Sequence, residues 1–261
     1  MFLFVFAFVT GLIFGSFANV IIYRLPRKKS IVKPPSACPS CEKQLAAWDL
    51  IPVLSWVFLR GRCRSCQMKI SIRYPVVELI CGLLFAAMMY FSPTLSVIPL
   101  SVLAFVLLTV SFIDWDTQEI PDSLLIVGAI GGAAWIAFGY FLPELLLYAP
   151  AWHNALLGVV AGAMPLVVLD KIALLIWKKD GFGYGDVKLM AVIGIFLGWQ
   201  LTLMAFIFSI LASFPFAMYL MIKQRISKEK ALNGYMAFGP FLCIGAIIAL
   251  WFGEWILNML Y

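Results

Sequence analysis

Long apolar runs alternate with short polar stretches along the chain. An α-helix needs about 20 apolar residues to cross the hydrocarbon core of a bilayer, and eight runs are candidates for such helices. The sixth run is short, so the sequence does not define its boundary with the seventh. The pattern predicts an all-α polytopic membrane protein of about eight transmembrane helices, with apolar runs at residues 1–23, 75–92, 96–113, 122–141, 153–177, 187–199, 201–222 and 236–258.

Composition supports this fold class, and the distribution of charge predicts an orientation. Hydrophobic residues make up 64% of the chain and charged residues 12%, with a mean hydropathy of +1.00, which excludes an ordinary water-soluble domain. All nineteen Lys and Arg residues fall in the regions 24–73, 171–188 and 223–230. The positive-inside rule predicts that these regions are cytosolic and that both termini lie outside. The net charge of +6 is then explained by topology and anionic lipid, not by nucleic acid.

Three segments are expected along the chain. Residues 1–23 have no charged n-region and are too apolar over too great a length for a cleaved signal peptide, so we expect an uncleaved first transmembrane helix. Residues 24–74, called the cysteine segment below, are expected to form a cytosolic four-cysteine domain. Residues 75–261 are expected to form a membrane-embedded core.

The cysteine segment contains two Cys-x-x-Cys pairs. Twenty-one residues separate Cys38 and Cys41 from Cys63 and Cys66, a spacing typical of a four-thiolate zinc site of the ribbon type. A pair of disulfides is the alternative. The reducing cytosol favours a metal site over disulfides. A small segment without an apolar core also needs a cross-link, such as a bound metal ion, to fold. We therefore predict structural Zn²⁺, with a redox role or a metal-free loop as the remaining alternatives.

Two carboxylates at the ends of apolar runs are the candidates for catalysis. Asp114 ends the third run, and Asp186 follows the alternating glycines of Gly181-Phe182-Gly183-Tyr184-Gly185 at the start of the sixth. Ionisable residues are costly in a membrane, so a site that unites two of them is a functional hypothesis. An N-cap role for Asp186 is the structural alternative. With no Ser/His pair in the pattern, the hydrolytic chemistry available is that of an aspartic protease dyad.

Several further residues are candidates for contacts to substrate. Asp116 and Glu119 form an acidic patch on an otherwise basic cytosolic face, and such a patch suits a substrate with local positive charge. Gly183 and Gly185 would allow a substrate backbone to approach closely. Two more candidates are Lys188, two residues after Asp186, and Glu78, which either pairs with a Lys or Arg or contacts a cationic substrate.

Two other classes of function fit parts of the pattern. A transporter or channel could use Asp114 and Asp186 to carry protons or ions at discontinuous helices, but that reading expects acids near mid-membrane and an internal repeat. A zinc-ribbon adaptor anchored in the membrane would leave the glycine-aspartate stretch unexplained.

Taken together, these motifs resemble those of the bacterial prepilin peptidases, the type IV prepilin leader peptidases and N-methyltransferases of the Gly-x-Gly-Asp type. The resemblance covers nearly the whole chain. It rests on residues 15–17 and 19–26, both cysteine pairs, Arg73-Tyr74-Pro75 with Glu78, Asp114 followed by Ile120-Pro121-Asp122, and residues 183–189.

The resemblance implies an activity and a location. Asp114 and Asp186 correspond to the family's catalytic aspartates. The implied reaction is cleavage after a glycine in the basic leader of type IV prepilins or type II secretion pseudopilins, in the bacterial inner membrane. It also implies methylation of the new N-terminal amine from S-adenosylmethionine, for which Asn19 and Glu78 are candidates. From the residues alone, Gly15, Ser16 and Asn19 share a helix face that favours close helix packing over substrate contact.

Overall fold

A computed structural model describes residues 1–92, 95–142, 149–178, 181, 183–227 and 236–260. Of the predicted basic regions, residues 179–180, 182 and 228–230 lie outside the described part. A short 3-10 helix spans Ala47–Leu50. The α-helices are α1 Phe2–Arg24, α2 Leu54–Phe58, α3 Arg73–Phe91, α4 Val97–Thr117, α5 Asp122–Phe141, α6 Trp152–Trp177, α7 Tyr184–Ser227 and α8 Gly239–Leu260.

The predicted polytopic all-helical fold is confirmed. Within the described ranges, seven helices are long and apolar enough to cross a membrane, namely α1 and α3 to α8. β-structure in the same ranges is confined to two isolated bridges in the cysteine segment. The chain forms two compact units, Met1–Phe105 and Val106–Tyr261.

Helix α7 contains both the sixth and the seventh predicted runs, and Gly198 divides them. Gly198 has φ 71° and ψ 176°, a conformation that favours glycine. A Cβ atom on Gly162 of α6 would meet the Met190 carbonyl oxygen and lie 3.2 Å from Thr202 Cγ2. Along a straight helix those two residues would be about 18 Å apart. The chain therefore folds back at Gly198, and the seven elements contain all eight apolar runs.

Closely packed glycines join the helices within each unit. Two glycines four residues apart lie on one helix face and let a second backbone approach. In the first unit, such a pair on α1 contacts α3. In the second unit, a pair on α5 and a pair on α6 both contact the first arm of α7. The pairs are Gly11 with Gly15, Gly128 with Gly132, and Gly158 with Gly162. The predicted packing role of Gly15 is confirmed, because a Cβ there would lie 2.6 Å from Glu78 Cα.

Four helix ends converge in the second unit. Asp122 at the start of α5 pairs with Lys188 near the start of α7. The start of α8 contacts the last turn of α4 through Gly239 and Asp114. This end of the unit therefore collects both candidate aspartates, although they lie in different helices.

Candidate active site and metal centre

Asp114 lies in the last turn of α4 and is only 5% exposed. Its carboxylate accepts a buried hydrogen bond of 2.9 Å from the backbone N–H of Gly239, which is 125 residues away. Leaving a buried carboxylate without a donor would cost several kcal/mol of desolvation. The N–H of Gly239 offsets part of that cost and fixes Asp114 Oδ2.

The start of α8 explains why Gly239 is the donor. The N–H groups in the first turn of a helix have no partner within the helix. Pro240 has no N–H, and the two residues after it donate to the Phe238 carbonyl oxygen. The N–H of Gly239 remains to bond Asp114. A Cβ at this position would lie 2.7 Å from Asp114 Oδ2, so any larger residue would displace the carboxylate or the helix.

Asp186 is the third residue of α7 and is 9% exposed. Its backbone N–H donates to the Gly183 carbonyl oxygen at 3.0 Å. Gly183 therefore precedes the helix, and the N-cap alternative for Asp186 is wrong. Among the described residues, no hydrogen-bond donor reaches the buried Asp186 Oδ1. A buried carboxylate oxygen without a partner is rare and calls for a functional explanation.

The two carboxylates share one environment. Asp114 and Asp186 repel each other electrostatically. Both also interact with the buried thiol of Cys243, one turn into α8 from Gly239, and Cys243 in turn hydrogen-bonds with the Ser111 side chain of α4. The end of α4 and the starts of α7 and α8 thus enclose two buried acids beside the Cys243 thiol. Such a pair can hold a water molecule between a proton acceptor and a proton donor.

The glycines before Asp186 have different surroundings. Gly183 is exposed, and among the described residues a Cβ there would meet only Asp186 Oδ2 at 3.5 Å and the Gly185 nitrogen at 3.9 Å. At Gly185 a Cβ would lie 2.9 Å from the Cβ of Ile120. Gly185 is therefore needed for packing, whereas Gly183 keeps one side of the Asp186 carboxylate open.

The acidic and basic candidates lie on the exposed part of this end. Asp116 and Glu119 are exposed near the end of α4. Lys188 Nζ lies 2.7 Å from Asp122 Oδ1, and both side chains are more than half exposed. This ion pair links the start of α7 to the start of α5.

Glu78 and Asn19 lie in the first unit, where each contacts the chain itself. Glu78 Oε2 accepts a hydrogen bond of 2.7 Å from the backbone N–H of Val53, and the Ser16 side chain also bonds this carboxylate. Asn19 Nδ2 donates to the Tyr74 carbonyl oxygen at 3.1 Å. Glu78 thus ties the cysteine segment to α3, and Asn19 ties α1 to the start of α3.

The four cysteines come from two copies of one turn. In the first, the Cys38 N–H donates to the Lys43 carbonyl oxygen and the Glu42 N–H donates to the Cys38 carbonyl oxygen. Cys63, Met68 and Gln67 repeat both bonds 25 positions later, and the β-bridges Ala37 to Gln44 and Arg62 to Lys69 repeat with them. This local repeat was not predicted from the sequence.

The sulfur positions fit a tetrahedral metal ion. All four Sγ atoms lie within 4.8 Å of one another, and those of Cys38 and Cys66 are 3.8 Å apart. Four sulfurs about 2.3 Å from a zinc ion would be about 3.8 Å apart. The cluster therefore could hold a metal ion, as the spacing of the pairs predicts.

Electrostatics within the cluster also favours a cation. Hydrogen bonds from the backbone N–H groups of Cys41 and Ser40 lower the pKa of the Cys38 thiol to about 6. The Met68 N–H lowers the pKa of Cys66, but burial and the other cysteines outweigh it and raise that pKa to about 11. Four thiolates this close repel one another, and a divalent cation would relieve that repulsion.

Two contacts near the aspartates were missed by the sequence analysis. One is the bond from Gly239 to Asp114, although the sequence carries a signal for it: a glycine before a proline at a helix start leaves one free N–H. The other is the hydrogen bond of 2.9 Å that Asp170 accepts from the Gly181 N–H, which ties the last part of α6 to the glycine stretch.

Two families match the chain in adjacent parts. The Bacterial Peptidase A24 N-terminal domain matches residues 9–92, which include the four cysteines. The Type IV leader peptidase family matches residues 101–218, which include both aspartates. A relative from Aeromonas salmonicida is 33% identical over 95% of this chain and 90% of its own. The chain belongs to the type IV leader peptidase family.

Other relatives in this family carry the same name. The Aeromonas protein is called a prepilin leader peptidase/N-methyltransferase, as is one from Bacillus subtilis that is 35% identical over 96% of this chain and 95% of its own. A Myxococcus xanthus protein of that name is 40% identical over 78% of this chain, a match that spans 59% of the relative. No solved structure gives a significant match. The matches confirm the resemblance and give no support to the transporter alternative.

Proposed function

We propose that this protein is a membrane aspartic endopeptidase that removes the basic leader of type IV prepilins or type II secretion pseudopilins after a glycine. The observation that carries the proposal is the pair Asp114 and Asp186, buried together with Asp186 Oδ1 lacking a partner among the described residues. Two adjacent carboxylates do not ionise together at low cost, so they share a proton.

In the proposed reaction, the charged aspartate takes a proton from a water molecule, and the oxygen of that water attacks the scissile carbonyl carbon. The protonated aspartate donates a hydrogen bond to the carbonyl oxygen, which becomes a hydroxyl in the tetrahedral intermediate. The Gly239 N–H holds Asp114 Oδ2 and leaves Oδ1 to face the water. When the intermediate collapses, the C–N bond breaks and the aspartate that took the proton from water gives it to the leaving amine. The hydroxyl proton returns to the other aspartate, which restores the pair.

The surroundings of the pair suit a leader that is rich in Lys or Arg. The carboxylates of Asp116 and Glu119 are exposed beside the site and would attract such a leader. The open side of Gly183 would admit an extended backbone next to Asp186. Gly185 and Lys188 would support binding of this extended substrate backbone indirectly. Gly185 packs on Ile120. Lys188 pairs with Asp122. Glu78 is proposed to contribute through the cysteine segment and not by direct contact at the aspartates.

We further propose that the chain lies in the bacterial inner membrane with both termini outside. The three basic regions, and with them the aspartates and the cysteine segment, would then face the cytosol. A C-terminal alkaline phosphatase fusion tests this orientation, because that reporter folds only outside the cytosol. An active fusion is expected, and an inactive one that is stably expressed would reverse the orientation.

For the second activity, we propose methylation of the new N-terminal amine, with S-adenosylmethionine as the methyl donor. Asn19 Nδ2 and Glu78 Oε2 are bonded to the chain itself, so we propose that these two residues act in methyl transfer by positioning and not by direct contact with the donor. Their proposed contribution is to hold α1, α3 and the cysteine segment together.

Zn²⁺ is the proposed metal of the four cysteines, where it would cross-link the two cysteine turns into one folded unit.

Incubation of the purified protein with a synthetic prepilin-like peptide tests both activities. The peptide carries a Lys-rich leader, a glycine and an apolar segment, and mass spectrometry reads the cleavage position. Labelled S-adenosylmethionine then reports methyl transfer to the cleaved product. Failure to cleave would exclude the peptidase, whereas cleavage without transfer would exclude only the methyltransferase. A proton flux across liposomes containing the protein, in the absence of cleavage, would favour the transporter.

A further inference from the structure

The cysteine segment has an exposed apolar surface around α2, made of Trp48, Leu50, Ile51, Leu54, Val57 and Phe58 and called the α2 surface below. Leu54, Val57 and Phe58 are spaced i, i+3 and i+4, so they share one helix face. Phe58 is 81% exposed and Trp48 is 75% exposed. Soluble domains rarely leave such large apolar side chains together in water, so this surface marks a contact with something apolar.

The opposite side of α2 fixes its orientation. Trp56 points away from the α2 surface, and its indole Nε1 donates to the Ile70 carbonyl oxygen at 3.2 Å. A Cβ at Gly61 would lie 2.7 Å from the Trp56 ring, so the ring packs directly on that backbone. Because the second cysteine turn holds Trp56 in this way, α2 cannot rotate its apolar face inward without losing both contacts.

One hydrogen bond places the α2 surface next to a transmembrane helix. The N–H of Val53, immediately before α2, donates to Glu78 Oε2 at 2.7 Å. Glu78 is five residues into α3, or about 7.5 Å along its axis. Glu78 therefore lies in the second turn of a helix that is long and apolar enough to cross a membrane. The bond from Val53 holds the α2 surface beside this first part of α3.

The charge of the cysteine segment suits anionic headgroups. Residues 24–73 contain eleven Lys and Arg against two acids, Glu42 and Asp49. Arg60 and Arg62 follow α2 directly, and both are exposed. Apolar side chains beside exposed arginines are typical of a helix that lies in the plane of the membrane interface.

We propose that the α2 surface is a membrane-interface anchor, with its apolar side chains at the acyl boundary and Arg60 and Arg62 on anionic lipid headgroups. A bilayer is favoured over a protein partner because the segment is tethered to membrane-spanning helices at both ends, by α1 and by α3. The anchor holds the cysteine segment flat against the membrane. It does not depend on peptidase or methyltransferase activity.

Photo-crosslinking in the full-length protein tests this anchor. We would replace Phe58 with p-benzoylphenylalanine, reconstitute the zinc-loaded chain in nanodiscs of phosphatidylethanolamine and phosphatidylglycerol, and irradiate. Mass spectrometry should find about tenfold more lipid adduct than with the same substitution at Glu42, an exposed position in the first cysteine turn. The zinc content of each variant reports whether the cysteine segment is folded. If the Phe58 variant loses zinc, p-benzoylphenylalanine is placed at Val57 instead.

Equal lipid adducts at positions 58 and 42 would overturn the proposal. So would a shift of the Phe58 adduct from lipid to an added prepilin-like peptide, which would make the α2 surface a docking site for protein. Arg60→Gln with Arg62→Gln should abolish the preference of the adducts for phosphatidylglycerol while keeping the total yield. An unchanged preference would contradict the assignment of the two arginines to anionic headgroups.

Discussion

The four-cysteine site and the two-aspartate site are assembled in opposite ways. Each cysteine pair lies in a short turn whose hydrogen bonds span only a few residues, and 28 residues separate Cys38 from Cys66. The aspartates come from α4 and α7, and the donor that holds Asp114 is 125 residues away on α8. The first site depends on local chain geometry and a proposed metal, and the second on the packing of three helices.

This difference implies that the two sites fail independently. Loss of a cysteine should release the metal and loosen the cysteine segment while the helices persist. Loss of an aspartate should end the chemistry without changing the metal. Metal content is therefore measured in the aspartate variants as well as cleavage, because an effect that spreads from one site to the other would break the contrast.

The largest effect is expected from Asp114→Asn and Asp186→Asn. Either change removes a group that exchanges a proton in the reaction, so cleavage should fall by roughly 10² to 10⁴-fold. Single-turnover cleavage of the prepilin-like peptide measures the rate, and atomic absorption should still find about one metal ion per four-cysteine site. Asp122→Asn is the matched control on an exposed acid, and it should cost no more than the roughly fivefold expected for loss of its ion pair with Lys188. Normal cleavage in either dyad variant would refute the assignment.

Cys63→Ser is expected to release the metal and make residues 25–72 sensitive to limited proteolysis. A thiolate contributes to a structural zinc site whose binding is coupled to folding, whereas the hydroxyl of serine is a poor ligand. Cys81→Ala is the control, because Cys81 is a buried cysteine of α3 outside the cluster. Proteolysis followed by mass spectrometry checks the segment. Metal retained in full by Cys63→Ser would contradict the four-thiolate site.

A smaller effect is expected from Gly239→Ala. The new Cβ would lie 2.7 Å from Asp114 Oδ2 and displace a carboxylate that must stay in place. Misplacement of a reacting group by about 1 Å can cost about 10²-fold in rate, so kcat should fall by about 10- to 100-fold with little change in KM.

Gly253→Ala is the matched control for this change on the same helix. A Cβ there would lie 2.5 Å from Leu201 Cδ2, the end of a flexible side chain, and has no contact with the aspartates. If both variants lose activity equally, the effect of Gly239→Ala reflects α8 packing and not the hydrogen bond to Asp114.

The smallest effect is expected from Lys188→Gln. Its ion pair with Asp122 joins α5 and α7, but both side chains are more than half exposed. Exposed ion pairs contribute about 0–1 kcal/mol and are screened by salt. Cleavage should fall by no more than about fivefold, and high salt should remove the difference from the wild type. A loss as large as that of Asp186→Asn would give Lys188 a direct part in the chemistry.

Much of the architecture was predictable because its causes are local. Apolar length predicted the membrane helices, and the cysteine spacing predicted a cluster of four sulfurs. The family resemblance also followed from short motifs, and the family matches confirm it. The catalytic roles of Asp114 and Asp186 stay predictions, as do the contacts of Asp116, Glu119 and Lys188 with substrate.

The sequence by itself determined which segments enter the membrane and which residues can bind a metal, because hydrophobic length and ligand spacing act over a few neighbouring residues. Only the tertiary structure decided that Gly198 folds α7 back, that Gly239 donates to Asp114 and that Val53 donates to Glu78. The two hydrogen bonds use backbone N–H groups, which every residue except proline carries, and the turn uses one of nineteen glycines. How the helices pack decides which N–H meets which carboxylate and which glycine turns the chain, and no local pattern of side chains records this.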